Sequence, residues 1–263
     1  MQPVLFSFLG WRFYSYGLLI AVGGLAAYRL WHSQRRSMGL RSDEDFWLLL
    51  NFLFLGGFIG GRILYLVEYV PYRWPELKAA LFSFNSGFSV LGAFGGVVAA
   101  VWVFACWRRC GFLSMLDHVC LGAALWHVFG RLGCFAAGCC YGRPTVRAWG
   151  VRFTDPSSMV PVGLRGVALH PTQLYEAAGE LLIFLCLWLA VRPCLERGQI
   201  KPGFLTGAYF LAYSILRFSL EFWRGDTAPG LVGLSAGQIL SLGLGFAGLG
   251  LILWRREAPC ILS

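Results

Sequence analysis

The chain has 263 residues, of which 57% are hydrophobic, 16% aromatic and only 13% charged, and its mean hydropathy is +0.64. A soluble domain carries about a quarter charged residues. This composition therefore excludes an ordinary soluble enzyme, a disordered chain and a collagen-like fibre, and predicts an all-α polytopic membrane protein. The 22 Lys and Arg against 13 Asp and Glu leave a formal charge of +9. These cations are scattered among apolar runs, which fits cytoplasmic loops or an anionic lipid head group, and does not fit a nucleic-acid-binding stripe.

Seven apolar runs follow one another: Phe13–Trp31, Phe46–Val67, Phe88–Trp107, Leu113–Phe135, Thr172–Val191, Gly203–Trp223 and Leu231–Trp254. A helix needs about 20 residues to cross the hydrocarbon core, and most of these runs reach that length. The first is read as an uncleaved span, because Arg29, Arg35 and Arg36 follow it with no small-residue cleavage site. Basic residues gather after runs one, three, five and seven: Arg29, Arg35, Arg36 and Arg41; Arg108 and Arg109; Arg192, Arg197 and Lys201; Arg255 and Arg256. The opposite side has only Arg12, Arg73, Lys78 and Arg224 in its short segments, with Arg143, Arg147, Arg152 and Arg165 in the one long loop. The positive-inside rule then predicts seven spans with the N-terminus outside and the C-terminus in the cytoplasm. The loop at about 136–170, with little helix or strand pattern, is expected to lie in the periplasm above a single membrane-embedded domain spanning 1–263.

Three arginines, Arg62, Arg131 and Arg217, lie inside runs two, four and six, toward the predicted outer ends. One arginine in a span can snorkel to the interface. Three at one depth point to a bundle-facing site, and guanidinium forks match phosphate oxygens.

Three motifs sit around them. In Gly130-Arg131-Leu132-Gly133-Cys134-Phe135-Ala136-Ala137-Gly138-Cys139-Cys140-Tyr141-Gly142-Arg143 the glycines permit close backbone approach, and Arg131 and Arg143 bring charge to a helix exit. In His170-Pro171-Thr172-Gln173-Leu174-Tyr175-Glu176 the proline suits a helix start, and the polar density exceeds what capping requires. In Arg217-Phe218-Ser219-Leu220-Glu221-Phe222-Trp223-Arg224-Gly225-Asp226, the residues Arg217, Glu221 and Arg224 share a helix face. Each motif also has a plainer reading: a glycine-rich helix end, a capped helix, and a self-neutralising ion-pair chain.

Taken together and in this order, the three motifs resemble the prolipoprotein diacylglyceryl transferase family. Tyr16-Gly17, Gly60-Gly61-Arg62, Asp117 and Gly237-Gln238-Ile239-Leu240 are similar to further family positions. The resemblance implies a bacterial inner-membrane enzyme that moves the diacylglyceryl group of phosphatidylglycerol to the lipobox cysteine thiol of a prolipoprotein and releases glycerol phosphate at the periplasmic leaflet. It implies catalytic roles for Arg131, His170, Arg217 and Glu221. Substrate binding would fall to Tyr16, Arg62, Arg143, Tyr175, Glu176, Arg224 and Gln238. Arginines beside a phosphate ester leaving group stabilise its developing charge, and neither a metal nor a redox cofactor is required.

Two departures stand out. Leu91 occupies the position of a family histidine implied to help remove the thiol proton, and leucine cannot titrate. Cys134, Ala137 and Cys139 replace the asparagines and the acidic residue of the family signature. His170 or Glu221 is then the best remaining candidate base. Cys134, Cys139 and Cys140 form a possible thiol site, as a nucleophile beside arginines, as an oxidised pair, or simply as small residues in a tight turn. No metal site is expected, since no fourth ligand has convincing spacing, although His127 and His170 lie nearby in sequence. The alternatives are a divergent paralogue with another acceptor, or a phospholipid-binding protein without turnover. A transporter is disfavoured by the absence of an inverted repeat.

Overall fold

The computed structural model describes residues 3–8, 11–69, 75, 78–80, 87–227 and 233–256. It begins with a hairpin, β1 (Val4–Phe8) and β2 (Trp11–Tyr14), followed by α1 (Ser15–Gln34), α2 (Asp43–Tyr69), α3 (Val90–Arg108) and α4 (Phe112–Ala137). Two short strands, β3 (Val151–Arg152) and β4 (Ala168–Leu169), precede α5 (Thr172–Glu196), α6 (Phe204–Leu220) and α7 (Ala236–Arg256). By length and composition, α2, α3, α4, α5 and α7 can each cross a membrane. The seven expected runs thus all appear as helices, of which five meet that standard. Arg73 and the Leu231 start of the last run lie outside the described residues.

Some boundaries differ from expectation for visible reasons. Phe13 and Tyr14 belong to the hairpin, where Phe13 stacks on Phe6 with ring centroids 4.5 Å apart, so α1 starts at Ser15. The fifth run continues past Val191 through a π-helical turn, Leu187–Val191, in which the Arg192 N–H reaches the Leu187 carbonyl. That wider turn lies just before Pro193, which lacks a helix donor and crowds the preceding turn.

The chain forms two compact units, His32–Leu116 and Met1–Trp31 with Asp117–Ser263. In the first, α2 packs on α3 through glycines. A Cβ on Gly60 would lie 2.8 Å from Gly96 Cα, and one on Gly56 would lie 2.6 Å from the Gly96 carbonyl oxygen. Gly56/Gly60 and Gly92/Gly96 are each four apart, so both helices present a small-residue stripe that lets their backbones touch. In lipid, where no hydrophobic force draws helices together, such close packing supplies the contact.

In the second unit α6 packs against α7 and α5. Its start is anchored by Asp117, a buried carboxylate on α4 that accepts from the Gly203 and Thr206 N–H groups at 2.7 and 2.8 Å and from the Thr206 hydroxyl at 2.6 Å. This satisfies amide donors that a helix N-terminus leaves unpaired inside an apolar medium. Asp117 is fourteen residues from Arg131, which puts the two about 21 Å apart along α4.

The segment 136–170 is more structured than its sequence pattern suggests. Phe153, Val160 and Leu169 make a small buried core, with Phe135, Tyr141, Val151, Leu164 and Val167 packed on it. Two of its arginines serve the loop itself. Arg165 donates to the Val160 and Ser158 carbonyls, and Arg152 to the Gly166 carbonyl.

The glycine stripe makes a sharp prediction. Gly96→Ala should lower stability in detergent by about 1–3 kcal/mol through overpacking, whereas Gly95→Ala, whose Cβ meets nothing within 4 Å, should be neutral. Matched thermal unfolding curves in one detergent check this; equal midpoints would contradict it.

Candidate functional site

Arg131 lies near the end of α4, and its guanidinium is enclosed on three sides. Nη2 is 2.9 Å from Glu176 Oε1, Nε donates to His127 Nε2 at 3.0 Å, and Nη1 is 3.7 Å from Cys140 Sγ. Because an arginine Nε always carries hydrogen, His127 Nε2 must be the acceptor. The proton of a neutral His127 then sits on Nδ1, 2.8 Å from Glu180 Oε1. Tyr213 and Tyr209 complete the network, donating to Glu176 Oε1 at 3.2 Å and Glu180 Oε1 at 3.4 Å. Glu176 and Glu180 have side-chain exposures of 3% and 0%, so these carboxylates depend on their partners in a low-dielectric setting.

A second cluster gathers at the end of α6. Arg217 pairs with Glu221, Ser235 Oγ donates to Glu221 Oε1 at 2.7 Å, and Arg224 Nε is 3.9 Å from Glu221 Oε2. Arg224 is held mainly by Asp226, at 3.0 and 2.9 Å. Burial opposes the charge on Arg224, but Asp226 and then Cys140 more than offset it and raise its pKa. Gly237 at the start of α7 has no room for a side chain, since a Cβ there would meet the Glu221 carboxylate at 2.9–3.0 Å. Gln238 caps α7: its Oε1 accepts from Ser235 N–H at 3.0 Å while Ser235 Oγ accepts from Gln238 N–H at 3.2 Å.

The two clusters meet. Tyr213 lies within electrostatic reach of both Arg131 and Arg217, and Cys140 within reach of both Arg131 and Arg224. The backbone ties them as well: Gly142 bridges Arg224, Arg143 N–H donates to the Trp223 carbonyl at 2.8 Å, and Arg143 Nε donates to the Arg224 carbonyl at 3.1 Å. Gly142 N–H also donates to the His170 carbonyl at 3.0 Å. His170 Nδ1 lies 3.2 Å from the Tyr175 hydroxyl, which accepts from Trp149 Nε1 at 2.8 Å. These three residues line a cleft of about 580 Å³ together with Arg147, Leu220 and Trp223.

Cys134, Cys139 and Cys140 place their Sγ atoms within 4.8 Å of one another, and all eight described cysteines are free thiols. Hydrogen bonds from the Cys134 and Cys139 thiols, followed by Arg131 and Arg224, pull the Cys140 thiol far below the usual range. Hydrogen bonds with Cys134 and Cys140 push the Cys139 thiol up. Tyr16, at the start of α1, lies beside this group: a Cβ on Gly133 would come within 2.9 Å of its ring, and Tyr16 senses Cys134, Cys139 and Arg131.

Thus Arg131, Arg143, His170, Tyr175, Glu176, Arg217, Glu221, Arg224, Tyr16 and the three cysteines all belong to one region of one unit. Arg62 does not. It belongs to the other unit, where it donates to the carbonyls of Gly87, at 3.0 Å, and Ala80, and lies over the Tyr65 ring at 5.7 Å. The sequence reading missed His127, Glu180, Tyr209 and Tyr213. Their signal was present, since His127/Arg131, Glu176/Glu180 and Tyr209/Tyr213 are polar pairs four apart in three apolar runs.

With this geometry in hand, comparison with known proteins is decisive. A model of the family described as prolipoprotein diacylglyceryl transferase matches residues 3–254. The chain belongs to that family. A phosphatidylglycerol–prolipoprotein diacylglyceryl transferase of Clostridium tetani is 36% identical over 245 residues, covering 92% of this chain and 93% of that protein. Proteins of the same name from Ruegeria pomeroyi and Chlorobaculum tepidum are each 33% identical, covering 98% of this chain and 97% and 91% of theirs.

The network predicts its own fragility. Glu176→Leu leaves Arg131, 15% exposed at the side chain, without its carboxylate and should cost about 3–5 kcal/mol. Arg131→Met combined with Glu176→Leu should recover part of that loss. Unfolding in detergent, read as a double-mutant cycle, checks this; additive losses would contradict a shared pair.

Proposed function

We infer that this protein transfers the diacylglyceryl group of phosphatidylglycerol to the thiol of a prolipoprotein lipobox cysteine, releasing glycerol phosphate. The observation that carries this reading is the meeting of Arg131, Arg217 and Arg224 around Tyr213 and Cys140 in a chain of this family. The proposed topology is seven spans in the bacterial inner membrane, with the N-terminus outside and the C-terminus in the cytoplasm. On this topology the segment 136–170 lies in the periplasm over the arginines. The whole chain is taken as one membrane-embedded transferase domain.

In this reading Arg131 and Arg224 bind the phosphate of the lipid, and Arg217 acts from the far side of the same cluster. Their carboxylate partners fix the orientation of each guanidinium before substrate arrives, so little reorganisation is needed as charge grows on the leaving oxygen. His170 and Tyr175, with Arg143 nearby, line the cleft shared with Arg147 and Trp149, whose hydrogen-bonding groups suit the glycerol head group. An apolar groove of about 310 Å³ between α6 and α7, lined by Leu211, Ile215, Phe218, Leu242, Phe246 and Leu249, includes the residue that follows Arg217 and suits an acyl chain. Leu91, on α3, favours a second reading in which the protein binds phosphatidylglycerol without turnover, because it removes the histidine the resemblance implies.

The test is incubation of purified protein with diacyl-labelled phosphatidylglycerol and a lipobox peptide. Label should appear on the peptide cysteine with stoichiometric glycerol phosphate. Arg224→Ala should lower kcat at least about 100-fold, the scale for removing one preorganised charge-stabilising donor. Binding of lipid without transfer by the wild-type protein would establish the second reading.

A further inference from the structure

The cysteine trio has an architecture that packing alone does not require. Cys134 sits in the last turn of α4, and the chain then reverses through Gly138 at φ +80° and Cys140 at φ +58°. A left-handed conformation is uncommon for a residue with a Cβ. It is held in place from α5, where Thr172 Oγ1 donates to the Cys140 carbonyl at 2.8 Å and Gln173 Nε2 to the Cys139 carbonyl at 2.7 Å. The Cys134 carbonyl accepts from the N–H groups of Gly138 at 2.9 Å and Cys139 at 3.2 Å. The outcome is three Sγ atoms converging within 4.8 Å, all on half-buried residues.

Thiolates about 2.3 Å from a zinc ion in tetrahedral array are about 3.8 Å apart, so small side-chain rotations would close this cluster on a metal. Three protein ligands with a fourth position open is the arrangement of a catalytic rather than a structural zinc site. Three thiolates around a divalent cation carry one net negative charge, and Arg131 Nη1 is already 3.7 Å from Cys140 Sγ. A fourth thiolate would add a second negative charge, with Arg224 in electrostatic reach.

We propose that Cys134, Cys139 and Cys140 form a three-thiolate site for a thiophilic divalent cation of the zinc class, whose open position takes the sulfur of the acceptor cysteine. This rests on the transferase reading above, and it supplies what Leu91 cannot. A thiol that coordinates such a cation is deprotonated outright. The acceptor R–SH binds the metal and gives its proton to solvent. A sulfur lone pair then forms the S–C bond to the glyceryl carbon while the C–O bond to phosphate breaks. The bonding pair stays on the phosphate oxygen, and glycerol phosphate leaves as the dianion beside Arg131 and Arg224. The thioether product is a poor ligand and is released. No oxidant or reductant takes part.

The experiment uses the full chain, purified in detergent, fully reduced and freed of metal. Titration with Cd2+, read by its sulfur-to-metal charge-transfer absorption, should reach one ion per chain, and Zn2+ should displace it. Cys134→Ser and Cys140→Ser should weaken binding at least tenfold with unchanged far-ultraviolet circular dichroism, while Cys106→Ser and Cys110→Ser should bind as wild type. A lipobox peptide should shift the band, and its Cys→Ser analogue should not. The metal-free protein should lose at least tenfold in transfer rate and regain it with Zn2+. Absence of stoichiometric Cd2+ binding, binding indifferent to Cys140→Ser, or a disulfide within the trio in protein taken directly from membranes would each overturn the proposal. Full transfer by metal-free protein would overturn it and leave the transferase standing. Cd2+ binding with a peptide-dependent shift but no transfer under any condition would support the site and overturn the transferase reading instead.

Discussion

Everything in the second unit is arranged around one requirement: the Arg131 guanidinium is charged inside a largely apolar helix bundle and must be surrounded by groups that tolerate it. A charge in that setting costs several kcal/mol unless it is paired and hydrogen-bonded. The chain meets this by bringing Glu176 from α5, His127 from α4 itself and Cys140 from the reversing loop against its separate nitrogens. Those partners in turn need Glu180, Tyr209 and Tyr213. The groups that satisfy one cation thus tie α4, α5 and α6 together, and Asp117, at the other end of α4, satisfies the amide donors at the start of α6.

The same constraint explains how the proposed binding site and a stable core coexist. The carboxylates that make the arginines affordable in an apolar medium also hold the guanidiniums in fixed directions. Arg131 and Arg217 are 15% and 16% exposed at their side chains, which leaves each a face for a ligand without exposing the pair as a whole. A phosphate entering such a site meets donors already oriented, in a medium that screens them little.

Much of this was legible in the sequence. The helical class, the order of the apolar runs and the convergence of the arginine motifs follow from hydropathy and from polar residues placed where lipid penalises them. The ends of helices were less legible. Nothing in Phe13-Tyr14 distinguishes a hairpin from the first turn of a span, and nothing in the run before Pro193 announces a π-helical turn. Side-chain roles were legible only where the chemistry left one choice. The cap that Gln238 makes with Ser235 at the start of α7 was not visible in the spacing. The contacts of Arg62 with the carbonyls of Gly87 and Ala80, in the other unit, were not visible in its sequence depth. The segment 136–170 hid its small core because its apolar residues are spaced irregularly between glycines and prolines.

The most direct test of the central claim is an experimental structure of the protein in a bilayer containing phosphatidylglycerol. The account predicts lipid phosphate density within hydrogen-bonding distance of Arg131 and Arg224, with Glu176 and Asp226 still holding the guanidiniums from behind. A head group bound elsewhere, with both arginines in contact only with their carboxylates, would contradict it.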